Sequence, residues 1–171
     1  QMIISIIGYG SQAKRIIKIL NKRGFKVNYI YKPSFEKSNN LYIDDFEVLK
    51  RSKVVFICSP NSSHLSYICK LHKNRYIFCE KPPVQNSNEL DKLKKINNKY
   101  IYYNFNFRHS KISDAIQMAI NFDFGKLLNA NLIVSHGLAH KKEYINSWRS
   151  NIKRCPKGVF EIVSIHFLDL I

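Results

Sequence analysis

Residues 3–13 read Ile3-Ile4-Ser5-Ile6-Ile7-Gly8-Tyr9-Gly10-Ser11-Gln12-Ala13, and the fold turns on how they are parsed. Ile3 to Ile7 is almost all β-branched, the pattern of a short strand covered on both faces. Gly8 lets the backbone turn sharply. Gly10 removes a side chain where a phosphate would approach. Ala13 takes the place of the third glycine in G-x-G-x-x-G and is small enough for a helix to pack closely on the strand. The first N–H groups of a helix starting at Ser11, with its dipole, would face a pyrophosphate. The motif alone also fits an ordinary strand–turn–helix, so the rest of the chain decides.

Working outward, the first helix runs from Ser11 to Lys22, with Ile16, Ile17 and Leu20 as its apolar face and Arg23-Gly24 as its end. Val27–Tyr31 is a second strand, broken at Pro33-Ser34 and followed by a loop at Ser38-Asn39-Asn40. Leu41–Ile43 is a third strand, and Asp44 or Asp45 caps a helix reaching Lys50. Val54–Cys58 is a fourth strand. After it, Ser62 or Ser63 caps a helix carrying Leu65, Ile68 and Leu71. Tyr76–Cys79 is a fifth strand, Ser87 caps a helix with Leu90, Leu93 and Ile96, and Tyr100–Phe105 is a sixth strand. Strands alternating with helices predict an α/β fold, a doubly wound parallel sheet with ligands beyond the carboxyl ends of its strands. The later chain changes character. A helix over Ile112–Phe122 is followed by a long alternating strand, Leu127–Ser135, by loops containing His136, His140 and Tyr144, and by an apolar run over 159–171. The change predicts a domain boundary near Asn104, with a first domain over 1–103 and the start of a second over 104–171.

The chain of 171 residues is 45% hydrophobic, as globular proteins are. No apolar run reaches the ~20 residues of a membrane span, and the start is a glycine-bearing strand, not a signal peptide. Gln1 before Met2 reads as an added residue. A cytoplasmic protein is the expectation. Cys58, Cys69, Cys79 and Cys155 form no C-x-x-C pair and read as reduced, buried thiols, with no metal site. The formal charge of +16 is spread: Lys22, Lys37, Lys50, Lys73, Lys99 and Lys126 fall in different turns or helix ends. With no arginine-rich stripe and no RNP-like aromatic pattern, the charge reads as a solvated face of a Lys-, Asn- and Ile-rich composition, and nucleic acid is not an expected partner.

Four stretches fall at strand ends or turns, where such a sheet presents a site. They are the glycine turn, Ser59-Pro60-Asn61 with His64 beyond it, Glu80-Lys81-Pro82, and His166-Phe167-Leu168-Asp169. A lysine at a strand end can hold or protonate a substrate hydroxyl, oriented by a nearby carboxylate. His166 and Asp169, three residues apart, share a face if helical.

In this order the stretches resemble the Gfo/Idh/MocA family of NAD(P)-dependent oxidoreductases. Gly8-Tyr9-Gly10-Ser11-Gln12-Ala13 is similar to its dinucleotide turn, Ser59 to His64 to its T/S-P-N-x-x-H loop, and Glu80-Lys81-Pro82 to its E-K-P signature. Trp148-Arg149 and Gly158 to Asp169 are similar to its W-R and G-G-x-x-x-D-x-x-x-H-x-x-D stretches, and Tyr103 to Arg108 to the strand leading into its second domain. The resemblance implies a Rossmann domain followed by an α+β domain with a mostly antiparallel sheet, and hydride transfer between a nicotinamide and a hydroxyl-bearing carbon of a sugar, inositol or nucleotide sugar. It also implies a homo-oligomer formed through the second domain's sheet. Lys81 would lie near the nicotinamide and the reacting hydroxyl, His166 would be the acid/base or substrate-binding histidine and Asp169 its support. Ser59, Pro60, Asn61, His64 and Glu80 would line the cofactor cleft. Two departures stand out. With Gly158 and His166 aligned, the family's acid falls on Ile162, and Glu161, one place earlier, would point about 100° away on an α-helix. The second strand ends Tyr31-Lys32-Pro33, without the acid that holds an NAD ribose. Lys32 leans the expectation to NADP, with Glu36 a late substitute acid. The loss at Ile162 leaves a second possibility, a nucleotide-binding regulator or partner subunit without turnover. The chain stops before most of a second domain, so its sheet would have an open edge and an apolar face.

Overall fold

In the computed structural model the described residues are 2–32, 41–122, 125–126, 128–129, 131, 133, 140–153, 155–158 and 160–170. They fall in two compact units, Gln1–Asn104 and Phe105–Ile171.

The first unit is built on β1 (Ile4–Ile7), β2 (Tyr29–Tyr31), β3 (Tyr42–Ile43), β4 (Val54–Ile57), β5 (Tyr76–Cys79) and β6 (Ile101–Tyr103). All pairings are parallel and the order is β3-β2-β1-β4-β5-β6. Between the strands lie α1 (Ser11–Lys22), α2 (Phe46–Leu49), α3 (His64–Leu71) and α4 (Ser87–Lys94). This is the expected Rossmann-type α/β sheet.

β1 is central and all four of its residues are buried, which is why its sequence is a continuous apolar run. Alternation divides it between two cores. Ile4 and Ile6 join Ala13, Val27, Ile30 and Val54 in the cluster under α1, with Ile16, Ile17 and Leu20 against it. Ile7 joins Tyr31, Leu49, Val55, Ile57, Ile68, Leu71, Ile77 and Cys79 in the cluster under α2 and α3. The polar member of β1, Ser5, is fully buried and bonds to the Ser52 hydroxyl, also buried.

Several local expectations are corrected. Neither Ser62 nor Ser63 caps a helix through its side chain: Asn61–Ser63 is a 3-10 turn, and the Ser63 hydroxyl bonds to Pro60 O at 2.8 Å and to the Ser59 hydroxyl at 2.7 Å. Ser87 opens α4, but Asn86 caps it, accepting from Glu89 N at 2.9 Å while Glu89 Oε2 accepts from Gln85 N at 2.8 Å. That is a reciprocal arrangement akin to a capping box. Of the two candidate caps for α2, Asp45 is the one, accepting from Glu47 N at 2.8 Å. Among the four free cysteines Cys79 and Cys155 are buried and Cys58 is half-buried, but Cys69 is exposed, on the outer face of α3. The Pro33, Glu36 and 38–40 readings lie outside the described residues.

In the second unit Asn106–His109 is a 3-10 turn and α5 (Lys111–Asn121) is capped by the Ser110 hydroxyl. After α6 (Lys142–Ile145) come a 3-10 turn at Trp148–Ser150, a π-helical turn at Phe160–Ser164 and α7 (Ile165–Leu168). Of the expected strand 127–135, Leu127, Ala130, Leu132, Val134 and Ser135 lie outside the described residues, as does His136. Leu128, Asn129, Asn131 and Ile133 carry no regular element.

Candidate functional site

Parallel register puts the strand ends in one row. Tyr31, Ile7, Ile57, Cys79 and Tyr103 are successive partners across β2, β1, β4, β5 and β6, and Ile43 of β3 pairs with Tyr31. One step further along each strand therefore stand Asp44, Lys32, Gly8, Cys58, Glu80 and Asn104, side by side on the carboxyl edge. The ladder continues through them: Gly8 N donates to Tyr31 O at 2.9 Å, Cys58 N to Ile7 O at 2.9 Å, Glu80 N to Ile57 O at 2.9 Å and Asn104 N to Cys79 O at 2.8 Å.

The two glycines of the turn do different work. Gly8 has φ +89°, and a Cβ there would meet Cys58 O at 2.8 Å. It is required by the fold. Gly10 has an ordinary extended backbone (φ −83°, ψ −170°), and a Cβ there meets nothing within 4 Å. The folded chain does not need that glycine, but something entering from outside would. Ala13 is fully buried against the β1 side, as its size predicts. Gly10 gives α1 no side-chain cap, and the first turn holds no acid. The leading N–H groups of a helix of 12 residues thus meet neither a capping side chain nor a carboxylate of that turn. Ser11 is exposed, Gln12 half-buried, and the Tyr9 ring stands edge-on to Tyr42 at 5.4 Å. This cradle fits a pyrophosphate.

Ser59 and Pro60 are half-buried and Asn61 is buried. His64 is fully buried, with Nδ1 2.8 Å from Pro82 O and Nε2 2.8 Å from Ser59 O. It braces the loops after β4 and β5. A neutral imidazole has one N–H, so both bonds form together only on the doubly protonated ring.

Glu80 accepts from Asn104 Nδ2, an orienting partner that sequence reading passed over as part of a strand. Burial pushes the Glu80 carboxyl above its ordinary value, against the Asn104 hydrogen bond and the Lys81 charge. Lys81 follows, half-buried, at a cis bond to Pro82. Burial, with Glu80 adding to it, pushes the neighbouring Cys58 thiol up to about 12, so it stays protonated and is no nucleophile. Asp44, read in the sequence only as a possible cap, is brought by β3 beside Lys32. Its charge, with that of Asp45, adds to the burial that raises the Tyr31 phenol.

His166 and Asp169 belong to the second unit. The His166 ring stacks on Phe107 at 4.8 Å and stands edge-on to Phe105 at 6.4 Å. Both Asp169 oxygens accept from Arg108, Oδ2 from Nε at 2.7 Å and Oδ1 from Nη2. Glu161 is buried. Among the described residues no cluster of three His, Cys, Asp or Glu could hold a metal ion, and no helix is long and apolar enough to cross a membrane.

A family model described as "Oxidoreductase family, NAD-binding Rossmann fold" matches residues 2–101. No curated protein matches the chain. Among solved structures, the WlbA (WbpB) dehydrogenase from Thermus thermophilus, in complex with NAD and UDP-GlcNAcA, is similar over 99% of this chain at 18% identity, with a TM-score of 0.75. The scyllo-inositol dehydrogenase from Lactobacillus casei, with NAD(H) and scyllo-inositol, is similar over 74% of the chain at 20% identity and a TM-score of 0.59. Myo-inositol dehydrogenase from the same organism is similar over 72% at 19% identity and a TM-score of 0.60. The chain spans 62%, 43% and 42% of these structures' own lengths. The family match covers more than half of the chain and falls on the unit that carries the glycine turn and the row of strand ends. This chain belongs to the Gfo/Idh/MocA oxidoreductase family with an NAD-binding Rossmann fold.

Proposed function

We propose that the chain is the cofactor-binding part of an oxidoreductase that moves hydride between NAD and a hydroxyl-bearing carbon of a nucleotide sugar, inositol or related sugar. The observation that carries the reading is Gly10: open space beside an uncapped helix start, in a turn whose other glycine the fold itself demands. The solved relatives with UDP-GlcNAcA and inositols support the substrate class. NAD, when bound, accepts or delivers the hydride.

The N–H groups of α1 bind the pyrophosphate, and Ser59, Pro60 and Asn61 line the cleft beyond β4. Glu80, fixed by Asn104, orients Lys81. Lys81 steadies the negative charge that grows on the substrate oxygen as hydride leaves its carbon, and His166 takes the hydroxyl proton. The Lys32 lean to NADP is set aside in favour of NAD. A 2′-phosphate at the end of β2 would face the Asp44 carboxylate as well as the lysine, whereas a ribose hydroxyl can donate to that carboxylate.

NADH fluorescence titration of the chain tests the binding, and Gly10→Val is expected to abolish it. Lys81→Ala in the intact protein is expected to keep cofactor binding and lose most turnover on nucleotide sugars or inositols. Absence of NADH and NADPH binding by the parent would overturn the reading.

A further inference from the structure

We infer that Glu161 is the acidic partner of His166, placed there by the π-helical turn between them. On an α-helix residues four apart are separated by one turn and lie within about 40° of each other, whereas residues five apart diverge by about 140°. By that measure Glu161, five before His166, serves it poorly, and the position four before is Ile162. The backbone is not α-helical there. Phe160–Ser164 is a π turn and α7 follows it directly. In a π turn the hydrogen bonds run between residues five apart, so one extra residue fits into a single turn. Glu161 thereby gains the vertical relation to His166 that an acid at Ile162 would have on an unbroken α-helix.

The surroundings agree. Glu161 is 2% exposed, both its oxygens are buried and so is His166 Nδ1. One face of the His166 ring is covered by Phe107 and Phe105 stands at right angles to the ring, while a hydrogen bond to a ring nitrogen lies in the ring plane. The other candidate, Asp169, gives both oxygens to Arg108. Arg108, whose guanidinium lies over the Phe105 ring, holds Asp169, three residues beyond His166. On the Glu161 side stand Cys155 and Arg149. Burial and a hydrogen bond to Glu161 push the Cys155 thiol up to about 12, with Arg149 pulling it the other way. The thiol therefore stays protonated and does not compete with His166 as a charged partner.

A carboxylate at Nδ1 holds the ring in the tautomer whose Nε2 lone pair is free and stabilises the imidazolium formed there. In the proposed oxidation the C–H pair leaves as hydride to nicotinamide, the O–H proton goes to Nε2 and a carbonyl remains. Glu161 is a positioning residue in that step. The purpose of the pair rests on the oxidoreductase reading, but its existence does not, and the test separates them.

The protein has six histidines, and His166→Gln assigns the His166 ring signal in an NMR pH titration. Glu161→Gln, an isostere, is expected to lower the His166 midpoint by about one pH unit, tenfold in proton affinity, and Glu161→Asp to retain most of the parent value. A Glu161→Gln midpoint within about 0.2 unit of the parent would overturn the pairing. If that variant fails to fold, the ring-nitrogen chemical shifts of neutral His166 in the parent decide, and a proton on Nε2 instead of Nδ1 overturns the pairing. NADH fluorescence on the same samples reports separately. A shifted midpoint without NADH binding keeps the pair and removes the oxidoreductase reading.

Discussion

Replacing Gly8 and Gly10 one at a time separates a glycine the fold needs from one a ligand needs. At Gly8 an alanine must hold φ +89° and place its Cβ 2.8 Å from Cys58 O, 3.0 Å from Cys58 C and 3.1 Å from Ser59 N. The left-handed backbone costs about 1–2 kcal/mol. The contacts are with backbone atoms of the neighbouring strand end, which cannot rotate away, so relief requires moving β1 against β4 at a cost of about 1–3 kcal/mol. Gly8→Ala is therefore expected to lose about 2–5 kcal/mol, a large part of the ~5–15 kcal/mol of a typical domain, and to melt about 10–25 °C lower. At Gly10 the backbone suits any residue and the added carbon meets nothing, so Gly10→Ala is expected to stay within about 0.5 kcal/mol of the parent. Its cofactor affinity, in contrast, is expected to drop at least about tenfold, since the new methyl stands where the pyrophosphate must lie. Circular-dichroism melts and NADH fluorescence titrations read the two effects on the same samples. Equal melting losses in both variants, or undiminished NADH binding by Gly10→Ala, would refute the assignment of the turn.

Three other perturbations probe the same edge. The parent is expected to bind NADH more tightly than NADPH, with Asp44→Asn weakening NADH about tenfold and Lys32→Ala leaving it unchanged. Tighter NADPH binding that disappears in Lys32→Ala would return the preference to NADP. Burial raises the Glu80 carboxyl, so the folded form holds that proton more firmly than the unfolded chain. This contribution to stability is full below the ordinary carboxylate range and is lost as pH climbs through the raised value. Glu80→Gln keeps an acceptor for Asn104 and removes that loss. Relative to the parent, its melting temperature is expected to gain as pH rises from about 4 to about 8, and a constant difference would contradict the burial argument. His64→Leu fills the space but leaves the Ser59 and Pro82 carbonyls without their donor, an expected loss of about 2–4 kcal/mol in melts, with NADH affinity falling as well. An unchanged melt would show that the brace carries no weight.

The six strands of the first unit were legible, to within a residue or two at their ends, because each is a short β-branched or aromatic run ended by a turn residue, and α1 was legible because glycines bound it on both sides. The caps at α3 and α4 were not. Serine, asparagine and aspartate compete for the same orphan N–H groups, and which of them wins depends on backbone angles that the residue types leave open. The site was half legible. Gly8, Gly10 and Lys81 show themselves by type and spacing. Asn104 and Asp44 do not, because they enter the site only through the register of β6 on β5 and of β3 on β2. Glu161 looked misplaced for a related reason: counting residues assumes a helical period, and the π turn changes it.

The brace at His64 explains why the loop after β4 keeps a histidine five residues beyond Ser59. The 3-10 turn at Asn61–Ser63 carries the chain back over the strand end, so the first residue of α3 faces the carbonyl of Ser59 from above. The other ring nitrogen reaches Pro82 O, 18 residues on in sequence but adjacent in space because β5 pairs with β4. Both contacts are to backbone carbonyls, so Ser59 and Pro82 carry no side-chain requirement for the brace, and its chemical demand rests on His64 alone. The same ring therefore fixes the loop that ends at Asn61 and the turn that presents Lys81. A ligand that orders the first loop is therefore expected to order the second.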